Sequence, residues 1–394
     1  MLKRCNKCGL PETYETIEFN NEGVCNICTQ NVYKREKIDW DSREAMFGDI
    51  IEEYRGKYDY DCIVPFSGGK DSTYTLWKLV THYKVKPLVV QFNHGFMRPT
   101  LNENNIKTFK KLGVDVVSFT PNWKIVKRLM LEALVRKGDF CWHCHTGIFS
   151  YPMHIAIKYN VPLIIWGEPS SEYTAYYDYK DDEIEQVDET RFNRFVNLGI
   201  TAEDMYGMIK DDTDGLDVRD LNPYTYPKLR DLKKLGYRSI CLGSYIPWNV
   251  KKQSELIQNE LGWKGDQVEG MPWDVYPYEK IECSMQGVRD YIKYLKRGYG
   301  RVTQMTALDL RNGVMDKEVA DRLIEEYEGK KPRSLELFLG YLGISEDEFN
   351  KVVAKTVVAP FKPDFDSNQW CEKTWDFDQW YKEDNTKIKE NKGA

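Results

Sequence analysis

Residues 67–72, Ser-Gly-Gly-Lys-Asp-Ser, have the side-chain types that bind a polyphosphate. Two adjacent glycines let the backbone approach a phosphate closely, and a helix that follows them directs free N–H groups and its positive dipole end at the anion. Lys70 offers a positive charge to phosphate oxygens, and Asp71 offers an oxygen ligand to Mg²⁺. We therefore predict an ATP-binding loop in which Lys70 and Asp71 are catalytic. Its predicted ATP-binding residues are Ser67, Gly68, Gly69, Lys70, Asp71 and Ser72.

The segments on either side indicate which kind of phosphate loop this is. A strand-like run precedes it at 60–66 and a helix-like run follows at 71–84, which disfavours a mere surface turn of small residues. A Walker loop, G-x-x-x-x-G-K-S/T, has four residues between its glycines, whereas the glycines here are adjacent. The sequence instead resembles the PP-loop family, whose members cleave ATP between the α and β phosphates. The resemblance implies that AMP and pyrophosphate are the products.

Four cysteines near the N-terminus have the spacing of a structural metal site. Cys5 and Cys8 form one C-x-x-C pair, and Cys25 and Cys28 form a second pair after sixteen intervening residues. This layout is typical of structural zinc, where four thiolates close a tetrahedral shell. A segment of about 30 residues is too short to build its own core, so the metal would supply the folding energy. Iron is the alternative, because four thiolates also suit iron.

A second cysteine pair, Cys141 and Cys144, lies in the sequence FCWHCH. The pattern also matches haem c attachment, which the lack of a visible export signal disfavours. Its placement after the phosphate loop resembles that of a C-x-x-C in tRNA thiolation enzymes that combine a PP-loop with a three-cysteine cluster. Cys283 is then the preferred third ligand, since Cys241 lies in an apolar run typical of a buried cysteine. A metal or iron–sulfur site and simple packed thiols both stay open.

Alternating strands and helices are expected to position these residues. The predicted elements are strand 60–66, helix 71–84, strand 86–92, helix 101–112, strand 114–119, helices 123–137 and 147–159, and strand 161–166. Alternation of this kind predicts an α/β fold with a doubly wound parallel sheet. Ligands bind beyond the carboxyl ends of the strands in such sheets. We therefore expect residues 67–72, 92–95 and 167–172 to meet at one crevice.

Two of these strand ends resemble further PP-loop segments. Phe92 and Asn93 match the segment whose backbone reads adenine, and Gly167 and Glu168 match a glycine–acid segment that closes over the nucleotide. The resemblance adds these four residues to the predicted ATP site. His94 has two open interpretations, a hydrogen-bonded structural histidine and an acid–base group.

Composition and charge limit the classes of partner. The 394 residues are 41% hydrophobic and 30% charged, with a mean hydropathy of −0.61, and none of the sequence reads as the roughly 20 consecutive apolar residues of a membrane span. The first residues lack the apolar run of a secretory leader, so we expect a cytoplasmic protein in which ten cysteines favour metals over disulfides. A net charge of −6 makes nucleic acid an unlikely partner.

We predict three domains. These are a zinc ribbon at 1–38, a PP-loop ATP pyrophosphatase domain at 39–301, and a C-terminal helical region with a tail at 302–394. The stretch 172–217 has fourteen acidic and four basic residues and reads as an acidic surface insertion.

A basic set recurs further along the chain, on one predicted helix. Arg289, Lys293 and Arg297, with Lys296, fall broadly on one side of it and continue towards Arg301. They would either bind the phosphates of a nucleotide sugar or form a solvated face.

Taken together, several motifs over residues 1–360 resemble the bacterial N-acetyl sugar amidotransferase family. They are CGLPET, GVCNIC, VPFSGGKDS, VVQFNHG, FCWHCHTG, IIWGEPSSEY, LGSYIPWN and CSMQGVRDYIKYLKRGYGR. The resemblance implies an enzyme that turns the acetamido group of an activated sugar into an acetamidino group for bacterial surface glycans. It would use ATP, Mg²⁺ and Zn²⁺, with an iron–sulfur cluster as an open addition.

The source of ammonia and two other functions complete the expectations. Position 2 is Leu, and no cysteine has the setting of a glutaminase nucleophile, so we expect a separate glutaminase subunit to supply ammonia. The main alternative is a PP-loop enzyme that thiolates tRNA and holds a cysteine-bound metal cluster. A regulator that binds ATP without turning it over is a third interpretation.

Overall fold

The computed structural model describes residues 2–169 and 189–372. Its strands are β1 (Cys62–Phe66), β2 (Pro87–Phe92), β3 (Asp115–Phe119), β4 (Leu163–Trp166) and β5 (Arg238–Cys241). Its α-helices are α1 (Asn26–Glu36), α2 (Trp40–Tyr54), α3 (Lys70–Thr81), α4 (Pro99–Leu112), α5 (Trp123–Lys137), α6 (Trp142–Tyr159), α7 (Glu189–Arg191), α8 (Ala202–Ile209), α9 (Leu229–Leu235), α10 (Val250–Leu261), α11 (Gln286–Arg297), α12 (Arg301–Asn312), α13 (Lys317–Tyr327), α14 (Ser334–Leu342) and α15 (Glu346–Ala354).

The five strands form one sheet in the order β3-β2-β1-β4-β5, and every neighbouring pair is parallel. Successive strand residues face opposite sides, and both sides are buried. On β1, Val64 belongs to the core cluster that includes Leu76 of α3, whereas Ile63 belongs to the cluster that includes Met153 of α6. The predicted α/β fold with a doubly wound parallel sheet is thereby confirmed.

Three details differ from the predicted elements. Helix α6 begins at Trp142 rather than near 147, because the buried Trp142, His143 and Thr146 continue its packed face. Arg301 begins a separate helix, α12, because Gly298 ends α11 in the left-handed conformation with φ +72°. Strand β5, only four residues long, was not predicted from the sequence as a strand.

The cysteine-rich N-terminal segment packs against the C-terminal helices. Leu10 and Tyr14 share a buried cluster with Tyr299 and Ala307, and the rings of Tyr14 and Tyr299 lie 5.1 Å apart. Another cluster joins α5 to α11, α14 and α15, so the region beyond 302 continues the same packed body. The division into three domains stays a prediction.

The predicted acidic insertion is only partly described. Within 189–217, Ile200, Met205 and Ile209 are buried in a cluster with Trp142, so this part packs onto α5 and α6 instead of standing free at the surface. The range 172–188 and the tail from 373 lie outside the described residues. No helix in the described ranges has both the length and the apolar character needed to cross a bilayer.

Candidate ATP and metal sites

A cavity of about 300 Å³ lies at the carboxyl ends of the strands. The three strand ends expected to share a crevice all reach its wall, through Ser67 after β1, His94 after β2, and Gly167 after β4. Helix α6 and the segment before α11 complete it. The polar wall residues are Ser67, Asp71, Ser72, His94, Cys141, Cys144, His145, Glu168, Cys241, Lys280, Glu282, Cys283, Gln286 and Arg289.

The loop between β1 and α3 has a backbone suited to an anion. Gly68 has φ +88°, a conformation that L side chains rarely adopt, and Gly69 caps the N-terminus of α3. The backbone N–H groups of Ser67 and Gly68 both donate to the Ser72 hydroxyl, at 3.3 and 3.1 Å. Trp263 donates its indole N–H to the Gly68 carbonyl at 3.1 Å and holds the loop from behind. N–H groups therefore converge at a helix N-terminus, as in phosphate-binding loops.

The Lys70 side chain is buried behind the cavity wall, next to Asp71. Its ammonium is 3% exposed and lies 2.8 Å from Asp71 Oδ2 and 2.8 Å from Glu279 Oε2. Burial by itself would raise the pKa of Glu279, but the charges of Lys70, Lys280 and Arg301 together hold it at about 2. Lys70 is thus one member of a buried ion-pair network, and the wall of the cavity does not include it. The contact between Lys70 and phosphate stays a prediction.

Two carboxylates of the wall have unusual surroundings. Asp71 Oδ1 is buried and has no hydrogen-bond partner among the described residues. Burial, aided by the negative charge of Asp71, raises the pKa of Glu168 to about 8. Mg²⁺ prefers carboxylate oxygens together with substrate phosphates, so the orphaned oxygen of Asp71 fits that ion. A neutral Glu168 would leave the cavity less repulsive to a polyanion.

The three cysteines of the predicted second metal site do share the cavity. Cys141 and Cys144 lie at the N-terminal end of α6, and Cys283 precedes α11. Their sulfurs do not gather: in the described ranges, the N-terminal cysteines are the one group of three or more ligand atoms within 4.8 Å of one another. Burial raises the pKa of Cys144, and that of Cys283 to about 11. Cys241, interpreted from sequence as an ordinary buried cysteine, also reaches the wall.

The N-terminal cysteines form a ready ligand set. The sulfurs of Cys5, Cys8, Cys25 and Cys28 all lie within 4.8 Å of one another, with Cys5 to Cys28 at 3.9 Å and Cys8 to Cys25 at 3.7 Å. All four side chains are buried. Four thiols at this spacing fit one tetrahedral ion, and the donor set suits zinc or iron.

The side chains of Phe92 and Asn93, predicted from sequence for the adenine pocket, do not line this cavity. Phe92 is 5% exposed and packs in a core cluster against the rings of Phe119 and Tyr224, at 5.5 and 6.0 Å. Asn93 accepts the Gly95 N–H at 2.9 Å and does not reach the cavity wall. The side chains of Phe92 and Asn93 therefore serve the fold at this strand end.

The basic residues of α11 contact different parts of the structure. Arg289 reaches the cavity wall and lies 3.8 Å from Asp139. Arg297 donates to the Thr13 carbonyl at 2.6 Å and pairs with Glu15, so it anchors the N-terminal segment. The remaining members contact protein groups: Lys293 reaches Gln304 at 2.9 Å and Lys296 reaches the Lys137 carbonyl at 2.9 Å.

Sequence reasoning missed the segment that closes the cavity on its C-terminal side. Glu279 pairs with Lys70, Lys280 lies on the wall, and Glu282 packs so tightly on Gly69 that a Cβ there would meet its carboxylate. The available signal was the charged run Glu-Lys-Ile-Glu directly before Cys283. Its importance depends on a contact between residues far apart in sequence.

Comparisons with known proteins agree with parts of this description. Residues 273–382 match the family model described as LPS biosynthesis protein WbpG-like, C-terminal domain. The match includes Lys280, Glu282, Cys283 and Arg289 of the cavity wall. The C-terminal part of the chain therefore resembles a domain of lipopolysaccharide biosynthesis proteins.

Two other similarities are weaker. An uncharacterized protein of Methanocaldococcus jannaschii is 28% identical over 168 residues, which is 42% of this chain, and the chain spans 58% of that protein's length. The solved U34-tRNA thiolase NcsA from Methanococcus maripaludis, with its 4Fe–4S cluster, is 15% identical, with 83% of this chain and 90% of that chain covered. Its TM-score of 0.28 is too low to argue from.

Proposed function

We propose that this chain is an ATP-dependent amidotransferase that replaces the acetamido oxygen of an N-acetyl sugar, nucleotide-linked, with ammonia. The product would be an acetamidino sugar for bacterial surface glycans. One observation carries the proposal. The anion-binding loop after β1 shares its cavity with Lys280, Glu282, Cys283 and Arg289, which belong to the region matching lipopolysaccharide biosynthesis proteins.

The chemistry explains why such an enzyme needs ATP. An amide carbonyl is a poor electrophile and its oxygen a poor leaving group. Attack of that oxygen on the α-phosphorus of ATP forms an adenylated imidate and releases pyrophosphate. Ammonia then adds to the imidate carbon, the carbon–oxygen bond breaks, and AMP leaves with the former acetamido oxygen.

In this proposal the protein contributes positioning and charge rather than a covalent nucleophile. The loop between β1 and α3 and the N-terminus of α3 would hold the phosphates, with the Ser67 and Gly68 N–H groups turning to them from the Ser72 hydroxyl. Mg²⁺ held by Asp71 would neutralise charge on the leaving pyrophosphate. Glu168 faces the same space, where a carboxyl with a raised pKa can exchange a proton near neutral pH. Ammonia would come from a separate glutaminase subunit.

A product assay tests the proposal. The purified chain is incubated with Mg²⁺, ATP, ammonium and a panel of nucleotide-linked N-acetyl sugars. We expect AMP, pyrophosphate and a sugar in which NH replaces one oxygen, in equal amounts. Asp71→Asn should abolish turnover, while Asp49→Asn, a change on α2 outside the cavity wall, should leave it intact. Formation of ADP and orthophosphate with the active sugar would contradict the proposal.

A second function, tRNA thiolation, is favoured by one observation, the three cysteines Cys141, Cys144 and Cys283 around the cavity. Movement of their side chains would have to bring the sulfurs together before they could bind a cluster. The net charge of −6 argues against a nucleic-acid substrate. Anaerobic purification followed by iron analysis, together with salt-dependent tRNA binding, separates the two functions. Thiolation would be favoured if the wild-type chain contains iron that Cys141→Ala lacks. It would also be favoured if the chain binds tRNA with an affinity that weakens as the salt concentration rises.

A further inference from the structure

The cavity needs a positive charge that its phosphate loop does not supply. Lys70, the cation of the loop, lies between the carboxylates of Asp71 and Glu279 and does not line the wall. The wall itself carries the carboxyl groups of Asp71 and Glu282. A Mg²⁺ ion at Asp71 would offset part of the charge of a bound triphosphate, and a protein cation facing the cavity would offset more of it.

Among the described residues, one lysine and one arginine line the cavity, Lys280 and Arg289. Arg289 already has the Asp139 carboxylate at 3.8 Å. Within residues 2–169 and 189–372, by contrast, no hydrogen bond or ion pair holds the Lys280 ammonium. His94, a histidine of the wall, accepts the Phe96 N–H through Nδ1.

The backbone at Lys280 is also unusual. Its φ is +53°, in the left-handed region that a residue with a Cβ enters at a cost of about 1 kcal/mol or more. This turn lets Glu279 point inward to Lys70 while the next side chain, Lys280, faces the cavity. Glu282 then packs against Gly69 of the phosphate loop. This left-handed residue therefore lies between two contacts to the phosphate loop, with its side chain on the cavity wall.

We propose that Lys280 is a phosphate-binding residue of this site, which contacts the triphosphate of ATP in place of the buried Lys70. This inference rests on the proposed use of ATP and assigns the ligand-facing cation to the C-terminal part of the chain. The phosphate loop then contributes N–H and hydroxyl donors, and the segment before α11 contributes the charge.

Three variants separate the charge from the backbone. Lys280→Gly removes the ammonium and relieves the left-handed strain, whereas Lys280→Arg keeps a cation. Lys84→Gly is the matched control, because Lys84 has the same kind of backbone, φ +54°, and lies outside the cavity wall. Calorimetry with Mg²⁺ measures the affinity of each variant for ATP and for AMP, and thermal unfolding measures stability.

We expect Lys280→Gly to weaken ATP affinity by about tenfold or more, the size of one charged hydrogen bond, and to change AMP affinity much less. Lys280→Arg should keep most of the affinity, and Lys84→Gly all of it. Neither glycine variant should be less stable than wild type, so a folding defect cannot imitate the result. Wild-type ATP affinity in Lys280→Gly would overturn this inference alone. Absence of ATP binding by the wild-type chain would overturn the proposed function and the inference with it.

Discussion

The ammonium of Lys70 lies 2.8 Å from a carboxylate oxygen of Glu279, and neither side chain is more than 3% exposed. Arg301 approaches the other Glu279 oxygen at 3.7 Å and also pairs with Asp290 at 3.2 Å. The first residue of α3 is thereby joined to α11 and α12 through buried charges. A continuous network of buried ion pairs therefore connects the phosphate loop to the C-terminal region.

Replacing Glu279 with Gln should be strongly destabilising. The change leaves Lys70 and Arg301 buried with less compensation, and breaking a buried pair in this way costs about 3–5 kcal/mol. Urea unfolding measures the free energy of unfolding of the variant and the wild type. Glu318→Gln, an exposed change on α13, is the control and should stay within about 0.5 kcal/mol of wild type. A loss below about 1 kcal/mol for Glu279→Gln would mean that the pair contributes little.

The same pair predicts a pH dependence. The pKa of Glu279 falls from an ordinary 4.5 to about 2 in the folded chain, so its contribution to stability is present above pH 4.5. The contribution is lost as the pH falls from 4.5 towards 2. The stability difference between wild type and Glu279→Gln should therefore shrink over this range. A difference that stays constant down to the lowest pH at which the chain folds would argue against the buried pair.

Gly68→Ala should damage the phosphate loop. The new Cβ would be strained at φ +88° and would meet the side chain of Asn105. We expect a loss of about 1–3 kcal/mol in stability and a clear loss of ATP affinity. Gly48→Ala is the matched control, because its backbone is helical and a Cβ added there would meet nothing within 4 Å. Equal ATP affinity in both variants would contradict the role assigned to this loop.

Metal removal should loosen the N-terminal segment first. We predict one zinc ion per chain at Cys5, Cys8, Cys25 and Cys28, measured by elemental analysis. A chelator, or Cys25→Ser, should lower the melting temperature and raise hydrogen exchange over residues 2–38 and at the contact between Tyr14 and Tyr299. Cys62→Ser, at a buried cysteine of β1 outside the group, should keep the metal. Retention of full metal by Cys25→Ser would exclude this ligand set.

Lys293 predicts a second pH dependence, in the neutral to alkaline range. Burial, together with the nearby charge of Arg301, lowers the pKa of Lys293 from 10.5 to about 7. The unfolded chain takes up this proton first, so the folded state loses stability as the pH falls from 10.5 to 7. The free energy of unfolding of Lys293→Met should therefore rise by about 1–3 kcal/mol relative to that of the wild type as the pH is lowered from about 10 to about 7. Lys252→Met, at an exposed site on α10, should give no such trend in urea unfolding.

Local sequence was sufficient for features that neighbouring residues determine. The glycine pair at 68 and 69, with a strand before it and a helix after it, predicted the phosphate loop, and alternating elements predicted the parallel sheet. The spacing of the C-x-x-C pairs predicted the gathering of Cys5, Cys8, Cys25 and Cys28, because each pair is a short turn that presents two sulfurs together.

Tertiary structure alone decided the side-chain directions and the partners far apart in sequence. The motif predicts that Lys70 binds phosphate, whereas in the folded chain its ammonium is buried between the carboxylates of Glu279 and Asp71. Phe92 is the last residue of β2, which leads to the cavity, but its side chain packs in the core, because burial there removes a large apolar ring from water. Lys280 became a candidate only once the fold had brought its segment over Gly69. Burial and ion pairing depend on contacts between residues far apart in sequence, which the spacing within a motif does not reveal. The local sequence therefore predicted the phosphate loop, and the tertiary structure decided which charged side chains face the cavity.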